Sequence, residues 1–240
     1  MVERGLYPGG GSGSNRAAIA TEHAGVAATH TDRSLMTPER PARHGPELAV
    51  IVPTLNERAN VPLLIERLHR VLAGIAWEAV FVDDDSTDGT AAAVRAIAQV
   101  DTRVRCVQRI GRRGLASACI EGVLASSAPF LAIMDADLQH DEALLPVMFA
   151  AVRDEAIDVA IASRYVAGGS LGAWGGARAR GSDLATRISR LILRADIADP
   201  MSGFFLIRRD AFDAAVRNLS GQGFKILLDI LASSPRPLRA

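Results

Sequence analysis

Only two cysteines, Cys106 and Cys119, occur in the 240 residues, and no CxxC spacing joins them. That excludes a cysteine-based zinc site or a disulfide framework and suits a reducing cytoplasm. Net charge is also missing, since 27 Lys and Arg balance 27 Asp and Glu. A chain without an excess of positive charge has no long-range pull on a nucleic-acid backbone, so no nucleic-acid partner is expected. No apolar run approaches the roughly 18 residues a membrane-crossing helix needs, and the opening MVERGLYPGGGSGSN lacks the apolar centre of a secretory signal. GxGxxG is absent after the first apolar strand, which disfavours a dinucleotide fold. GRRG at 111–114 is too short for a phosphate-cradling P-loop and lacks GK[ST], so it reads as a solvated basic turn in which Arg112 or Arg113 is the candidate for a phosphate.

Hydrophobic residues make up 49% of the chain, enough for a sizeable core. They are unevenly placed. Residues 1–46 carry GGGSGS, scattered Thr, His, Arg and Pro, and no apolar period. They are expected to form a disordered tail ahead of one ordered unit, 47–240. His23, His30 and His44 lie in that tail without partners at ligand spacing and are read as solvated.

From Leu48 onward short apolar runs alternate with helical patterns. LAVIVPT (48–54), EAVFVDD (78–84), RVRCVQR (103–109), PFLAIMD (129–135) and DVAIAS (158–163) read as strands. Between them lie a helix with Asn60 as its N-cap and Val61, Leu64, Leu68, Val71, Leu72 and Ile75 on one face, then helices at 90–100, 114–127 and 141–155. The third is rich in small residues that permit close packing. This alternation predicts an α/β fold, a mostly parallel sheet with helices on both faces and right-handed crossovers. GFKILLDIL (223–231) reads as an amphipathic helix facing the core, and the Phe pair of DPMSGFF (199–205) either as part of a core strand or as shaping the floor of the active site.

In such sheets ligands bind beyond the carboxyl ends of the strands. Polar clusters fall there: PTLNE, DDDSTDGT, DADLQH and SRY. Asp83, Asp84, Asp85 and Asp88 crowd into six residues. A capped turn explains the later part of that run, but successive acids at a strand end are expected to meet a nucleotide. Asp135 and Asp137, one residue apart at the tip of the fourth strand, repel each other unless a cation compensates them. With Gln139 they offer oxygen ligands only, which suits Mg²⁺ or Mn²⁺ and a substrate diphosphate that completes the site. His140 reads as a polar residue at a helix start.

Taken in order, VIVPTLNE, VDDDSTDGT, GLASACIEGV, MDADLQH, ASRYVAGGS, DPMSGFFLIRR and GFKILLDIL resemble the dolichol- and polyprenyl-phosphate glycosyltransferases, inverting family 2 enzymes of the GT-A fold that include the dolichol-phosphate mannose synthases. The likeness runs from about 48 to 235. It implies transfer of a sugar, mannose first and glucose as the alternative, from GDP-mannose or UDP-glucose to a polyprenyl-phosphate lipid at the cytoplasmic face of a membrane. It implies donor contacts at Pro53, Leu55, Glu57, Val82, Asp84, Asp135, Ala136, Asp137 and Arg164. The metal positions it implies are Asp135, Asp137 and Gln139, and the catalytic ones Asp137 and Arg164. Leu55 stands where many members carry Tyr. Arg178 and Ser182 fit the pattern after Trp174, but Asp183 replaces a common basic residue. The chain ends in ASSPRPLRA, where another strand is expected to begin, so a catalytic domain truncated at its C-terminus is expected. A nucleotidyltransferase, disfavoured because VPTLNERAN is not Gly- and Lys/Arg-rich, and a non-catalytic nucleotide-binding fragment are the competing readings.

Overall fold

The structure is a computed structural model that describes residues 45–154, 157–162 and 199–240. The strands β1 (Leu48–Thr54), β2 (Trp77–Asp83), β3 (Val104–Gln108), β4 (Phe130–Ile133), β5 (Val159–Ile161) and β6 (Phe205–Arg208) form one sheet in the order β3-β2-β1-β4-β6-β5. The described helices are α1 (Asn60–Val71), α2 (Thr90–Ala98), α3 (Leu115–Leu124), α4 (Leu145–Asp154), α5 (Arg209–Val216) and α6 (Ile226–Ser233).

Every residue of β1 and β2 is buried, as expected of strands covered on both faces. Alternation sorts their side chains into two cores. Ile51, Val80, Val82, Leu131 and Ile133 pack with Ala118, Cys119 and Val123 of α3, Phe212 of α5 and Leu227 and Ile230 of α6. Val50, Val52, Phe81, Ala132 and Met134 pack on the other face with Leu64 and Leu68 of α1, Val94 of α2 and Phe149 of α4. The small residues of α3 matter most at Gly122. A Cβ there would collide with Ile51 Cγ2 and come within 2.8 Å of Val82 Cγ2, so glycine is what lets α3 lie directly on β1 and β2.

Four of the strands follow the expected parallel pattern, and the exception concerns β6. It pairs antiparallel with β4 on one side and with β5 on the other, so β5 does not neighbour β4. Phe204, Phe205, Leu206 and Ile207 are all buried, a run that needs cover on both faces and therefore an interior position. β5 has three residues, two of them half-buried, and suits the edge.

Three helix starts differ in detail from the expected ones. Ala59, not Asn60, precedes α1. Asn60 instead donates from Nδ2 to Glu57 Oε2 (2.6 Å). The segment expected as one helix from 141 begins as a 3₁₀ turn, Glu142–Leu144, capped by Asp141, whose side chain accepts from the Ala143 N–H. Pro146 then sits in the first turn of α4, where its missing N–H costs nothing. Third, α3 starts at Leu115 after Gly114, whose φ of 143° lies outside what a side chain tolerates well.

The last residues do not form the strand expected of them. Leu238 is buried, and the Arg239 carbonyl accepts from the N–H groups of Asp158 (2.8 Å) and Val159 (3.1 Å). Asp158, buried at the head of β5, accepts two bonds from Arg236 (2.7 and 2.9 Å) and one from the Arg239 N–H (2.9 Å). GFKILLDIL behaves as anticipated, with Ile226, Leu227, Ile230 and Leu231 in the core.

Candidate active site

β1 runs parallel to β2 on one side and to β4 on the other. The chain leaves β1 toward β2 and β3, then returns to place β4 on the opposite flank. The chain therefore leaves β1 and β4 in opposite directions, and this switch point is the crevice at which open α/β sheets bind ligands. PTLNE, DDDSTDGT and DADLQH all stand along that rim.

The first two loops are stitched together. Asn56 N–H donates to Ser86 Oγ (2.8 Å), and Asn56 Oδ1 accepts from Thr87 N–H (3.0 Å). Glu57 N–H donates to Thr90 Oγ1 (2.9 Å) and Arg58 N–H to Asp88 Oδ2 (3.1 Å). Asn56 adopts φ 59° to make these bonds, a left-handed conformation that Asn tolerates better than most residues.

Most of the acidic run is spent on backbone donors. Asp83 accepts from Ser86 N–H (3.0 Å), Asp85 from Gly111 N–H (3.2 Å), and Asp88 from Thr90 N–H (2.9 Å) as well as Arg58. Burial disfavours the charge on Asp88, but the bonds from Thr90 and Arg58 outweigh it and hold the carboxyl below its ordinary value. Asp83, Asp85 and Asp88 thus build the capped turn that the later part of this run was expected to form. The reason is simple: tight loops leave N–H groups unpaired, and these acids satisfy them.

Asp84 is different. Its Oδ1 accepts from Arg109 Nη1 (2.9 Å) and its Oδ2 from Gly114 N–H (2.7 Å). Arg109 is buried, and it also donates to Ser117 Oγ (2.6 Å) and the Gly114 carbonyl (3.1 Å), with Glu121 3.3 Å from its Nε. Sequence reasoning overlooked Arg109, which ends an ordinary-looking strand pattern. Its only signal is a cation placed level with the acids that end β2. Arg112, a candidate for phosphate, forks Glu121 with bonds of 2.8 and 2.9 Å at the surface.

At the tip of β4, Met134 N–H still bonds the Ile51 carbonyl (3.1 Å), so Asp135 begins where the strand pairing stops. Asp135 Oδ2 lies 3.2 Å from His140 Nε2. Asp137 is exposed, and its Oδ1 accepts from Gln139 N–H (3.0 Å). Leu138 takes φ 62° to turn the loop. Gln139 is exposed; Ala136 and Val82 are buried in the two cores, so contact with a ligand there falls to their backbones. Pro53 is buried in β1, Glu57 half-buried and Leu55 exposed at the rim. Cys119 lies beneath this floor. Burial first, and then the charges of Asp135 and Asp84, push its thiol up to about 12, which removes it as a nucleophile or ligand. Arg164, Trp174, Arg178, Ser182, Asp183 and the N-terminal tail up to His44 lie outside the described residues.

Among the described residues no three His, Cys, Asp or Glu side chains converge on a closed metal site. Asp135 and Asp137 present carboxylate oxygens only. Space beside Asp135 depends on Gly203, where a Cβ would lie 3.1 Å from Asp135 Oδ2. An open, all-oxygen donor set fits Mg²⁺ or Mn²⁺, with further ligands from outside the protein.

The chain matches the family model of glycosyl transferase family 2 over residues 49–215. It is 38% identical over 187 residues to the dolichol-phosphate mannosyltransferase of Pyrococcus furiosus, a match covering 77% of this chain and 52% of the relative. It is 36% identical over 199 residues to that of Saccharomyces cerevisiae, covering 80% and 72%. It is 36% identical over 168 residues to the polyprenol monophosphomannose synthase of Mycolicibacterium smegmatis, covering 68% and 62%. The chain thus spans about half the length of the first of these relatives. In architecture it is similar to glucosyl-3-phosphoglycerate synthase of Mycobacterium tuberculosis, solved with Mn²⁺, uridine diphosphate and phosphoglyceric acid. That likeness has a TM-score of 0.58 at 22% identity and covers 78% of this chain and 63% of that one. It supports a GT-A fold with a mostly parallel sheet.

Proposed function

Because the chain belongs to glycosyl transferase family 2, we propose that it carries the donor half of a metal-dependent, inverting transfer of mannose from GDP-mannose to a polyprenyl phosphate. The single observation that carries this reading is the position of Asp135 and Asp137 at the tip of β4, beside the crevice between β1 and β4. The relatives named as mannosyltransferases favour mannose over glucose. The catalytic unit is assigned to residues 47–240, acting where a lipid acceptor meets the cytoplasmic membrane face. Among the described residues no helix is long and apolar enough to cross a membrane.

In this reading Asp135 and Asp137 hold the cation, with Gln139 as a further oxygen donor. When bound, Mg²⁺ or Mn²⁺ neutralises the charge on the departing diphosphate. The stitched loops after β1 and β2 shape the nucleoside pocket, with Pro53, Leu55 and Glu57 on one wall and Val82 and Asp84 on the other. The Ala136 backbone lies between the two aspartates. Arg164 is assigned, from sequence, to the donor phosphates. The acceptor phosphate has a second pKa of about 6 and is mostly dianionic at neutral pH, so it attacks without a protein base. Its oxygen bonds to the anomeric carbon as the bond from that carbon to the diphosphate oxygen breaks. The electron pair leaves with the nucleoside diphosphate, and configuration inverts. What remains for the protein is orientation and charge stabilisation.

The test is a thermal-shift panel of GDP, UDP and their mannosyl and glucosyl derivatives with and without Mn²⁺, followed by transfer to polyprenyl phosphate. A ligand at about 100 times its Kd raises stability by about 2.7 kcal/mol. Stabilisation by GDP and GDP-mannose alone supports the proposal. Selective stabilisation by UDP-glucose moves the reading to a glucosyltransferase. Binding without any transfer moves it to a nucleotide-binding fragment.

A further inference from the structure

The imidazole of His140 faces the first aspartate of the D-x-D. Its Nε2 lies 3.2 Å from Asp135 Oδ2, with side-chain exposures of 22% for His140 and 39% for Asp135. The ring rests on Phe204 with centroids 5.1 Å apart and a tilt of 38°. Phe204 is itself fixed: it is buried, its N–H donates to Ser202 Oγ (3.1 Å), and its carbonyl accepts from Ala162 N–H (3.0 Å). At Gly203 an added Cβ would stand 3.1 Å from Asp135 Oδ2 and 3.6 Å from His140 Nε2. The carboxylate and the imidazole are therefore wedged between the β4 tip and the residues that lead into β6. His140 is not a helix cap, because Asp141 takes that part.

We propose that His140 is a positioning residue for the divalent cation: held by Phe204, it fixes the rotamer of Asp135, and glycine at 203 keeps a Cβ from pressing on the Asp135 carboxylate. The inference rests on the metal-dependent reading above. An open site with two protein carboxylates depends strongly on how each is oriented, since few other protein ligands hold the ion. A hydrogen bond from Nε2–H occupies Oδ2 and directs the remaining lone pairs of Asp135 toward the crevice. Partners that orient metal ligands in this way typically change metal affinity by about 10–100-fold when removed.

The experiment measures Mn²⁺ affinity of the full chain from the spin-resonance signal of free Mn²⁺, with and without GDP. GDP affinity in the absence of metal and the melting temperature are measured alongside. His140→Phe keeps a ring on Phe204 but loses the N–H. His140→Gln returns a donor at about the same reach. Gly203→Ala pushes on the pair from the β6 side. Asp137→Asn reports on the site itself. The expected result is a loss of about tenfold or more in Mn²⁺ affinity for His140→Phe and for Gly203→Ala, recovery of most of it in His140→Gln, and unchanged metal-free GDP binding. Parent-like Mn²⁺ affinity in His140→Phe, with Asp137→Asn impaired, overturns the role of His140 and leaves the metal site standing. Parent-like affinity in Asp137→Asn as well overturns both. Should His140→Phe not fold, Gly203→Ala decides, and parent-like Mn²⁺ affinity there overturns the proposal.

Discussion

Replacing Asp158 by Asn should loosen the C-terminal segment from β5. The Asp158 carboxylate accepts two guanidinium bonds from Arg236 and the Arg239 N–H, with Arg239 Nε 3.6 Å away. The bonds from Arg236, working against burial and joined by Arg239, lower its pKa from the ordinary 3.8 to about 2. Each pH unit of such a difference corresponds to about 1.4 kcal/mol, so the upper bound is roughly 2.4 kcal/mol. Both arginines are more than half exposed at their side chains, and solvent screening reduces the net worth to about 1–2 kcal/mol. The sign follows from the depressed value: the stabilisation is full above the unfolded pKa of 3.8 and is lost as pH falls through about 2. Urea denaturation of parent and Asp158→Asn at several pH values isolates it. The difference in unfolding free energy should be about 1–2 kcal/mol at pH 7, keep roughly half its size near pH 3, and be mostly gone by about pH 2. A difference that is absent at pH 7, or that does not shrink in acid, would show that the clamp contributes nothing.

Three further substitutions address other features. Gly122→Ala forces a methyl group into Ile51 and Val82 and should cost about 1–3 kcal/mol, seen as a melting temperature lower by several degrees; an unchanged melting temperature would mean that α3 can lift off without penalty. Arg109→Leu leaves Asp84 buried without its cation and should cost about 3–5 kcal/mol in urea denaturation, whereas a loss typical of a surface site would refute the buried pair. Asn56→Ala loses the Thr87 bond and keeps the left-handed backbone, at about 1–2 kcal/mol, while Asn56→Gly should lose less; equal denaturation midpoints for the two would show that backbone strain at this position is unimportant.

Local signals made much of this fold legible. β1 and β2 are short apolar runs with both faces buried, and such runs name themselves wherever helices alternate with them. The place of Asp135 and Asp137 just past the tip of β4 is legible for the same reason: the apolar run stops where the strand pairing stops. What could not be read depends on partners far away in the chain. FFLI says that a strand is interior, but not that it enters antiparallel between β4 and β5. Arg109 looks like any polar residue at a strand end until Asp84 is placed beside it. The acids of DDDSTDGT carry the same charge whatever they meet, and partners such as the N–H groups of Arg58, Gly111 and Gly114 come within reach only once the loops are folded. His140 was read by its place before a helix, while its actual partner, Phe204, arrives with another strand.

The antiparallel insertion of β6 has a consequence for the order of assembly. β1, β2, β3 and β4 can join by successive crossovers as they are made, but β4 then presents an unpaired edge until a much later segment arrives. Among the described residues β6 is the only strand neighbour of β5, so β5 joins this sheet through β6. Long-range pairing of this kind is slow, since loop closure precedes any reward from contact, and an open edge is where nascent chains associate wrongly. The residues that deliver β6 to that edge, Gly203 and Phe204, are the same ones that seat against Asp135 and His140. The acidic β4 tip therefore takes its final form only when the sheet is completed, so a partly assembled chain does not yet offer the proposed cation site in its finished form.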